Sequence, residues 1–89
     1  MNGLKYYQWG EVMNLMYEYE YMQIGLKIAY YRKLRGFTQE QLAEKIDRAP
    51  GFIGHVEAPN INKAVSLDTL FEIAKVLNVP VYKFLVFDD

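Results

Sequence analysis

From residue 24 onward, apolar residues recur at helical spacing, and no run alternates strongly enough to predict a strand. One helical face is formed by Ile24, Ile28, Tyr31 and Leu34. Gly36 follows, and glycine can adopt the left-handed conformation that commonly ends a helix. The pattern therefore predicts a first helix over about residues 24 to 35.

The clearest helix start lies in "FTQEQLAEKI". Thr38 is followed three positions later by Gln41, which is the spacing of a capping box, and Phe37 and Leu42 form the matching hydrophobic staple. We expect this second helix to end near Lys45 or Ile46.

A third helix is predicted to begin at Pro50, since proline is tolerated in the first turn of a helix. Its apolar face would consist of Ile53 and Val56. The link from the second helix is short, so the two helices must cross steeply. The stretch "APNINKAV" then has the proline and asparagine content of a loop.

Ser66 is a good N-cap for a fourth helix, and Asn78 suits its end. The predicted buried stripe of this helix is Leu67, Leu70, Ile73, Ala74 and Leu77. Pro80 can begin a last short helix, in which Val81 and Leu85 would close the core. The fold class predicted is therefore all-α, a compact five-helix domain.

Residues 1–23 show two conflicting periods. Trp9, Val12 and Met16 have helical spacing, whereas residues 17 to 21 alternate Tyr and Glu as a strand would. One hypothesis is an aromatic arm for dimerisation or partner binding, because Tyr and Trp supply large contact areas. The alternatives are a later translation start, or a segment that packs on its own core. We divide the chain into this extension, 1–23, and a domain over 24–89.

Composition narrows the classes of function. Eighty-nine residues make one domain, without cysteine and with a single histidine, so neither a disulfide framework nor a zinc site is expected, and we expect no cofactor. No apolar run approaches a membrane span and no signal peptide is recognised, so we expect a cytoplasmic protein without a membrane partner.

The net charge is −1, but six of the basic residues lie between residues 27 and 48 against three acidic ones. A locally basic face can bind phosphate.

A helix, a short turn and a second helix, braced by further helices, describe a helix-turn-helix. Residues 24 to 85 resemble the lambda-repressor/Cro type, also called the XRE family, through "IGLKIAYYRKLRGFTQEQLAEKI", Val56, Glu57 and "SLDTLFEIAKVLNV". The resemblance implies a transcriptional regulator that binds double-stranded operator DNA as a homodimer, with the helix near residues 49–57 in the major groove. It also implies a structural ion pair between Arg32 and Glu57.

The resemblance assigns candidate DNA contacts to two groups. The phosphate contacts are expected at the start of the second helix, in the turn and in the loop after the recognition helix: Thr38, Gln39, Arg48, Asn60, Asn62 and Lys63. The residues on or beside the base-contacting face are Pro50, Gly51, Phe52, Gly54 and His55. The family commonly has Ser, Arg, Gln or Thr there, whereas this chain offers only His55 and Phe52 as side chains for base contacts.

Two hypotheses follow. The domain binds DNA, drawing specificity partly from phosphate register and DNA shape. Alternatively, the fold serves as a protein interaction module, antitoxin-like or for docking, with weak or no DNA binding. An enzyme is not expected, because the chain has neither a phosphate-binding loop nor a nucleophile beside a base. We expect no small-molecule effector, since these 89 residues make one domain and offer no second one to hold it.

Overall fold

The first helix is much longer than its predicted range. The structure, a computed structural model, describes residues 9–59 and 64–87, with side chains from Tyr17 onward. Helix α1 spans Trp9–Leu34, with non-helical φ and ψ of −116° and 16° at Tyr17. The prediction of a helix start near residue 24 is therefore wrong, and the Tyr and Glu alternation does not form a strand.

Residues 17 to 21 continue the helix and do not form a strand, because a continuous helix places Ile24 and Ile28 in the core with Tyr21 packed against them. An isolated strand would leave its backbone groups without partners. The division after residue 23 falls inside this helix. Gly36 follows the end of α1 in the left-handed conformation, with φ of 81°, as predicted. Leu34 was predicted on the buried face of the helix, and this is wrong, since its side chain is 59% exposed.

The second helix, α2, spans Gln39–Lys45 and has the predicted capping box. The third, α3, spans Phe52–Glu57. Its predicted start at Pro50 is wrong, because Pro50 and Gly51 form a turn in which the Phe52 amide donates to the Ala49 carbonyl at 3.0 Å.

The fourth helix, α4, spans Leu67–Leu77, with Ser66 as N-cap and Asn78 in the left-handed conformation at its end, as predicted. A 3-10 turn, Val81–Phe84, follows Pro80. Two predictions of burial are wrong: Leu67 is 60% and Leu85 is 43% exposed. Thr69 takes the buried place in the first turn of α4, and Phe84 closes the core instead of Leu85.

The core lies where the four helices and the 3-10 turn meet. Its fully buried large side chains are Ile28, Leu42, Ile53, Leu70, Ile73, Leu77 and Phe84. The described part of the chain is all-α, as predicted, with the last of the five predicted helices present as the 3-10 turn. None of the described helices has both the length and the hydropathy that crossing a bilayer requires.

Candidate nucleic-acid interface

The turn between α2 and α3 sets the angle at which α3 leaves the core. Asp47 adopts a left-handed conformation with φ of 59°, and its amide donates to the Glu44 carbonyl at 3.0 Å. The Arg48 amide donates to the Ala43 carbonyl at 2.9 Å. These bonds satisfy carbonyls at the end of α2 and reverse the chain within a few residues. The sequence analysis missed Asp47, although Asp is one of the residue types that tolerate this conformation.

A buried ion pair joins α1 to the end of α3. Arg32 Nε donates to Glu57 Oε2 at 2.7 Å, and Arg32 Nη2 donates to Glu57 Oε1 at 2.9 Å. The side chains are only 8% and 6% exposed. The structure thus contains the pair that the family resemblance implies, in the bidentate geometry that fixes the relative orientation of both groups. The hydrogen bonds that Arg32 donates to Glu57 raise the pKa of the Arg32 guanidinium, which favours its charged form in the folded chain.

Two further contacts extend this pair into a clamp, a name we keep for Arg32, Glu57, Gln39 and the Phe37 carbonyl. Arg32 Nη1 donates to the Phe37 carbonyl at 2.8 Å, and Gln39 Nε2 donates to Glu57 Oε1 at 2.9 Å. The clamp therefore links α1, the turn before α2, the first residue of α2 and the last residue of α3. Gln39, nominated for a phosphate contact, has this internal role in the free protein.

Gly25 allows α1 and α3 to approach closely. A β-carbon at this position would overlap the backbone carbonyl oxygen of Val56 and would lie 3.4 Å from Glu57 Cα. Any side chain at residue 25 would therefore push the end of α3 away from α1. The sequence analysis missed this residue, although an isolated glycine inside a helical pattern is a signal of close packing.

The outward side of α3 offers few side chains. His55 and Gly51 are exposed, and Pro50 is exposed just before the helix. Phe52 is half-buried, and Gly54 lies beneath Gln39, whose Oε1 would be 3.2 Å from a β-carbon at that position. His55 is therefore the one fully outward side chain with hydrogen-bonding groups among the base-contact candidates that the structure describes.

Arg48 is directed toward α4. Its Nη2 donates to Thr69 Oγ1 at 3.0 Å and lies 3.4 Å from Glu72 Oε1, and its guanidinium stands 5.6 Å from the centre of the Phe52 ring.

The remaining candidates for phosphate contacts divide into two groups. Thr38 is exposed, and its hydroxyl accepts from the Gln41 amide at 3.0 Å. Asn60, Asn62 and Lys63 lie outside the described residues.

The basic run of residues 27–48 does not gather on α3. The Arg32 side chain is buried in the clamp, where it pairs with Glu57. Arg35 donates to the Leu77 and Asn78 carbonyls at the C-terminal end of α4, at 2.9 and 3.3 Å. Arg48 is held by α4. The exposed acidic residues of α2 and the turn are Glu40, Glu44 and Asp47. The described helix-turn-helix unit thus has no surplus of exposed positive charge.

A family model described as helix-turn-helix matches residues 28–84. The match covers the second part of α1 and continues through α2, α3, α4 and the 3-10 turn. Searches of curated proteins and of solved structures found no match. Proteins of the matched family are DNA-binding regulatory domains and are not typically enzymes.

Proposed function

The chain belongs to the helix-turn-helix family of the lambda-repressor/Cro type, and from this premise we propose that it is a regulator that binds operator DNA sequence-specifically as a homodimer. In this proposal α3 enters the major groove, and the start of α2 contacts the phosphate backbone.

The observation that carries this proposal is the clamp. Helix α3 has only six residues and no side-chain N-cap, so it is too short to be stable by itself. Arg32 and Gln39 hold its last residue, Glu57, while Ile53 and Val56 anchor its inner face in the core. A short helix fixed at both its inner face and its end, with its outer side open, is what docking into a groove requires.

Few side chains are available for base contacts, so phosphate contacts and DNA shape must supply much of the affinity and specificity. His55 can donate to a guanine edge or contact a phosphate. Gly51, whose β-carbon position faces open space, lets the backbone at the start of α3 approach DNA closely. Gln39 can exchange its bond to Glu57 for a phosphate, since its side chain is only half-buried.

A second candidate function is a protein interaction module. It is favoured by the exposed surface at α3, which combines His55 with Gly51, and by the acidic residues Glu40, Glu44 and Asp47 beside it. Small residues permit close helix contacts with another protein, and carboxylates oppose a phosphate backbone.

Fluorescence anisotropy across a salt series distinguishes these functions. The labelled duplex would come from upstream of the gene that encodes the chain, and a scrambled duplex of equal composition would serve as reference. The variant His55→Ala removes the outward side chain of α3, and Lys75→Ala, an exposed cation on α4, is the matched control.

The DNA-binding proposal predicts affinity that falls steeply with salt, prefers the upstream duplex, and weakens by about 5-fold to 100-fold in His55→Ala but little in Lys75→Ala. Equal affinity for both duplexes would contradict sequence-specific binding at this site. Absence of binding at low salt by a folded sample would support the interaction module instead.

A further inference from the structure

The N-terminal end of α3 has no capping side chain. Gly51 is at the N-cap position and makes no side-chain cap, and Pro50 before it has no backbone amide to donate. The clamp holds the opposite end of the helix, at Glu57. The position of the N-terminal end therefore depends on contacts from other elements.

The Arg48 guanidinium supplies such a contact. Its Nη1 donates to the Ile46 carbonyl at the end of α2 at 3.2 Å, and its Nη2 donates to Thr69 Oγ1 in the first turn of α4 at 3.0 Å. The guanidinium carbon stands over the ring of Phe52, the first residue of α3, at a distance that suits a cation–π contact. Arg48 therefore joins α2, α3 and α4 at one point.

Thr69 is a fixed acceptor for Arg48. It is 5% exposed, and its hydroxyl oxygen also accepts from Ser66 Oγ at 3.0 Å. Ser66 is the N-cap of α4 and itself accepts from the Thr69 amide. The guanidinium is thus attached to the capped first turn of α4, and Glu72 adds only a longer, exposed contact at 3.4 Å.

The arrangement uses the shape of arginine. A guanidinium is planar, so its face can lie on an aromatic ring while the N–H groups at its edge donate in fixed directions. A lysine ammonium is a point charge on a flexible stem and cannot make these contacts together. Both terminal nitrogen atoms of Arg48 have acceptors inside the protein.

We propose that Arg48 is a positioning residue for the DNA contact: it holds Phe52, and with it the N-terminal end of α3, at a fixed place between α2 and α4. It has this role in place of the phosphate contact expected from the family resemblance. The clamp fixes the last residue of α3 and Arg48 the first, so the angle at which Gly51 and His55 meet a groove is set at both ends. The proposal deepens the proposed function and rests on it wherever DNA is concerned.

Hydrogen exchange without DNA tests the support of α3 by itself. The His55 and Ala58 amides donate within α3, at its N-terminal and C-terminal ends, both at 3.1 Å. In Arg48→Ala, exchange of the His55 amide should accelerate about 3-fold to 30-fold, while that of the Ala58 amide changes little, because the clamp is intact. Lys45→Ala, which removes an exposed cation from the last turn of α2, is the matched control and should leave both amides unchanged.

Anisotropy with the upstream and scrambled duplexes tests the consequence for DNA binding. Arg48→Ala and Arg48→Lys should both reduce the preference for the upstream duplex about 5-fold to 30-fold, because neither side chain can hold Phe52 as arginine does. The slope of log affinity against log salt concentration should stay as in the unaltered chain, and Lys45→Ala should keep the preference. A phosphate contact would behave differently: Arg48→Lys would keep the preference, and Arg48→Ala would reduce the slope by about 0.9 for each copy bound.

Either measurement can overturn the role of Arg48, once circular dichroism establishes that the variants are folded. Unchanged exchange of the His55 amide in Arg48→Ala would do so, and so would an equal acceleration at Ala58, which would mean a general loss of stability. The behaviour of a phosphate contact in the salt series would do the same. Absence of DNA binding by the unaltered chain would instead refute the proposed function, and exchange would then decide whether Arg48 positions α3.

Discussion

Helices α3 and α4 are stabilised in different ways. Helix α4 has eleven residues, the Ser66 cap, the left-handed Asn78 at its end and one continuous buried stripe. Helix α3 has six residues, and its N-cap position is Gly51, which makes no side-chain cap. Its order depends on the buried Ile53 and Val56 and on the clamp at Glu57.

The comparison shows where the stability of each helix resides. The residues that stabilise the ends of α4 lie next to it in the sequence, so they can be recognised from the sequence alone. The contacts that hold α3 involve residues distant in the sequence, since Arg32 and Glu57 are 25 positions apart. Changes on the exposed side of α3 should therefore matter less than changes to the buried contacts that hold it.

The largest effect is expected for Glu57→Ala. It leaves Arg32 buried without its counter-charge, so the free energy of unfolding should fall by about 3 to 5 kcal/mol in urea denaturation. The control is Glu72→Ala, which removes the exposed partner of Arg48 and should cost less than about 1 kcal/mol. Equal losses for both variants would contradict the role assigned to the clamp.

Gly25→Ala should come next. Alanine favours a helix by up to about 1 kcal/mol over glycine, but here its β-carbon meets the Val56 carbonyl, so we expect a net loss of about 1 to 3 kcal/mol. Thermal and urea unfolding measure this loss in the free energy of unfolding. An unchanged or increased stability would show that α1 and α3 do not approach as closely as described.

Ser66→Ala tests the local support of α4. The Ser66 hydroxyl accepts from the Thr69 amide at 3.1 Å, and its loss should cost about 1 kcal/mol. Hydrogen exchange should show the loss concentrated in the first turn of α4. Ser66→Thr, which keeps a capping hydroxyl, should lose less, and equal losses would argue against the cap.

The smallest effect, with the opposite sign, is expected for Gly51→Ala at the start of α3. Apart from its chain neighbours, no residue has an atom within 4 Å of the β-carbon position, and φ is −85°, which alanine adopts freely. Alanine restricts the backbone of the unfolded chain more than glycine does, so the free energy of unfolding should rise by about 0.4 to 1 kcal/mol. A clear loss in urea denaturation would mean that residue 51 needs glycine.

The sequence predicted the elements whose causes are local. Thr38 with Gln41, Ser66, Gly36 and Asn78 all have the roles expected of them. Failures occurred where tertiary contacts decide. Whether Leu67 or Thr69 is buried depends on the neighbours of α4, and both positions are compatible with an amphipathic helix.

The candidate site shows the same division. Its helix-turn-helix framework and the residues of the ion pair came from the family resemblance, and the pair is present with bidentate geometry. Gly25 and the bond from Gln39 to Glu57 were missed, because each depends on the distance between helices, which helical periodicity does not specify. The direction of Arg48 toward α4 likewise follows from the position of Glu72.

The central claim is that the surface formed by α3 and the start of α2 contacts DNA. An NMR titration of the 15N-labelled chain with the upstream duplex tests it most directly. We expect the amide signals of Gln39, Gly51 and His55 to shift, while those of Leu26 and Tyr30, which are exposed on α1, stay in place. Shifts confined to Leu26, Tyr30 and their neighbours on α1, or no shifts at low salt, would contradict the claim.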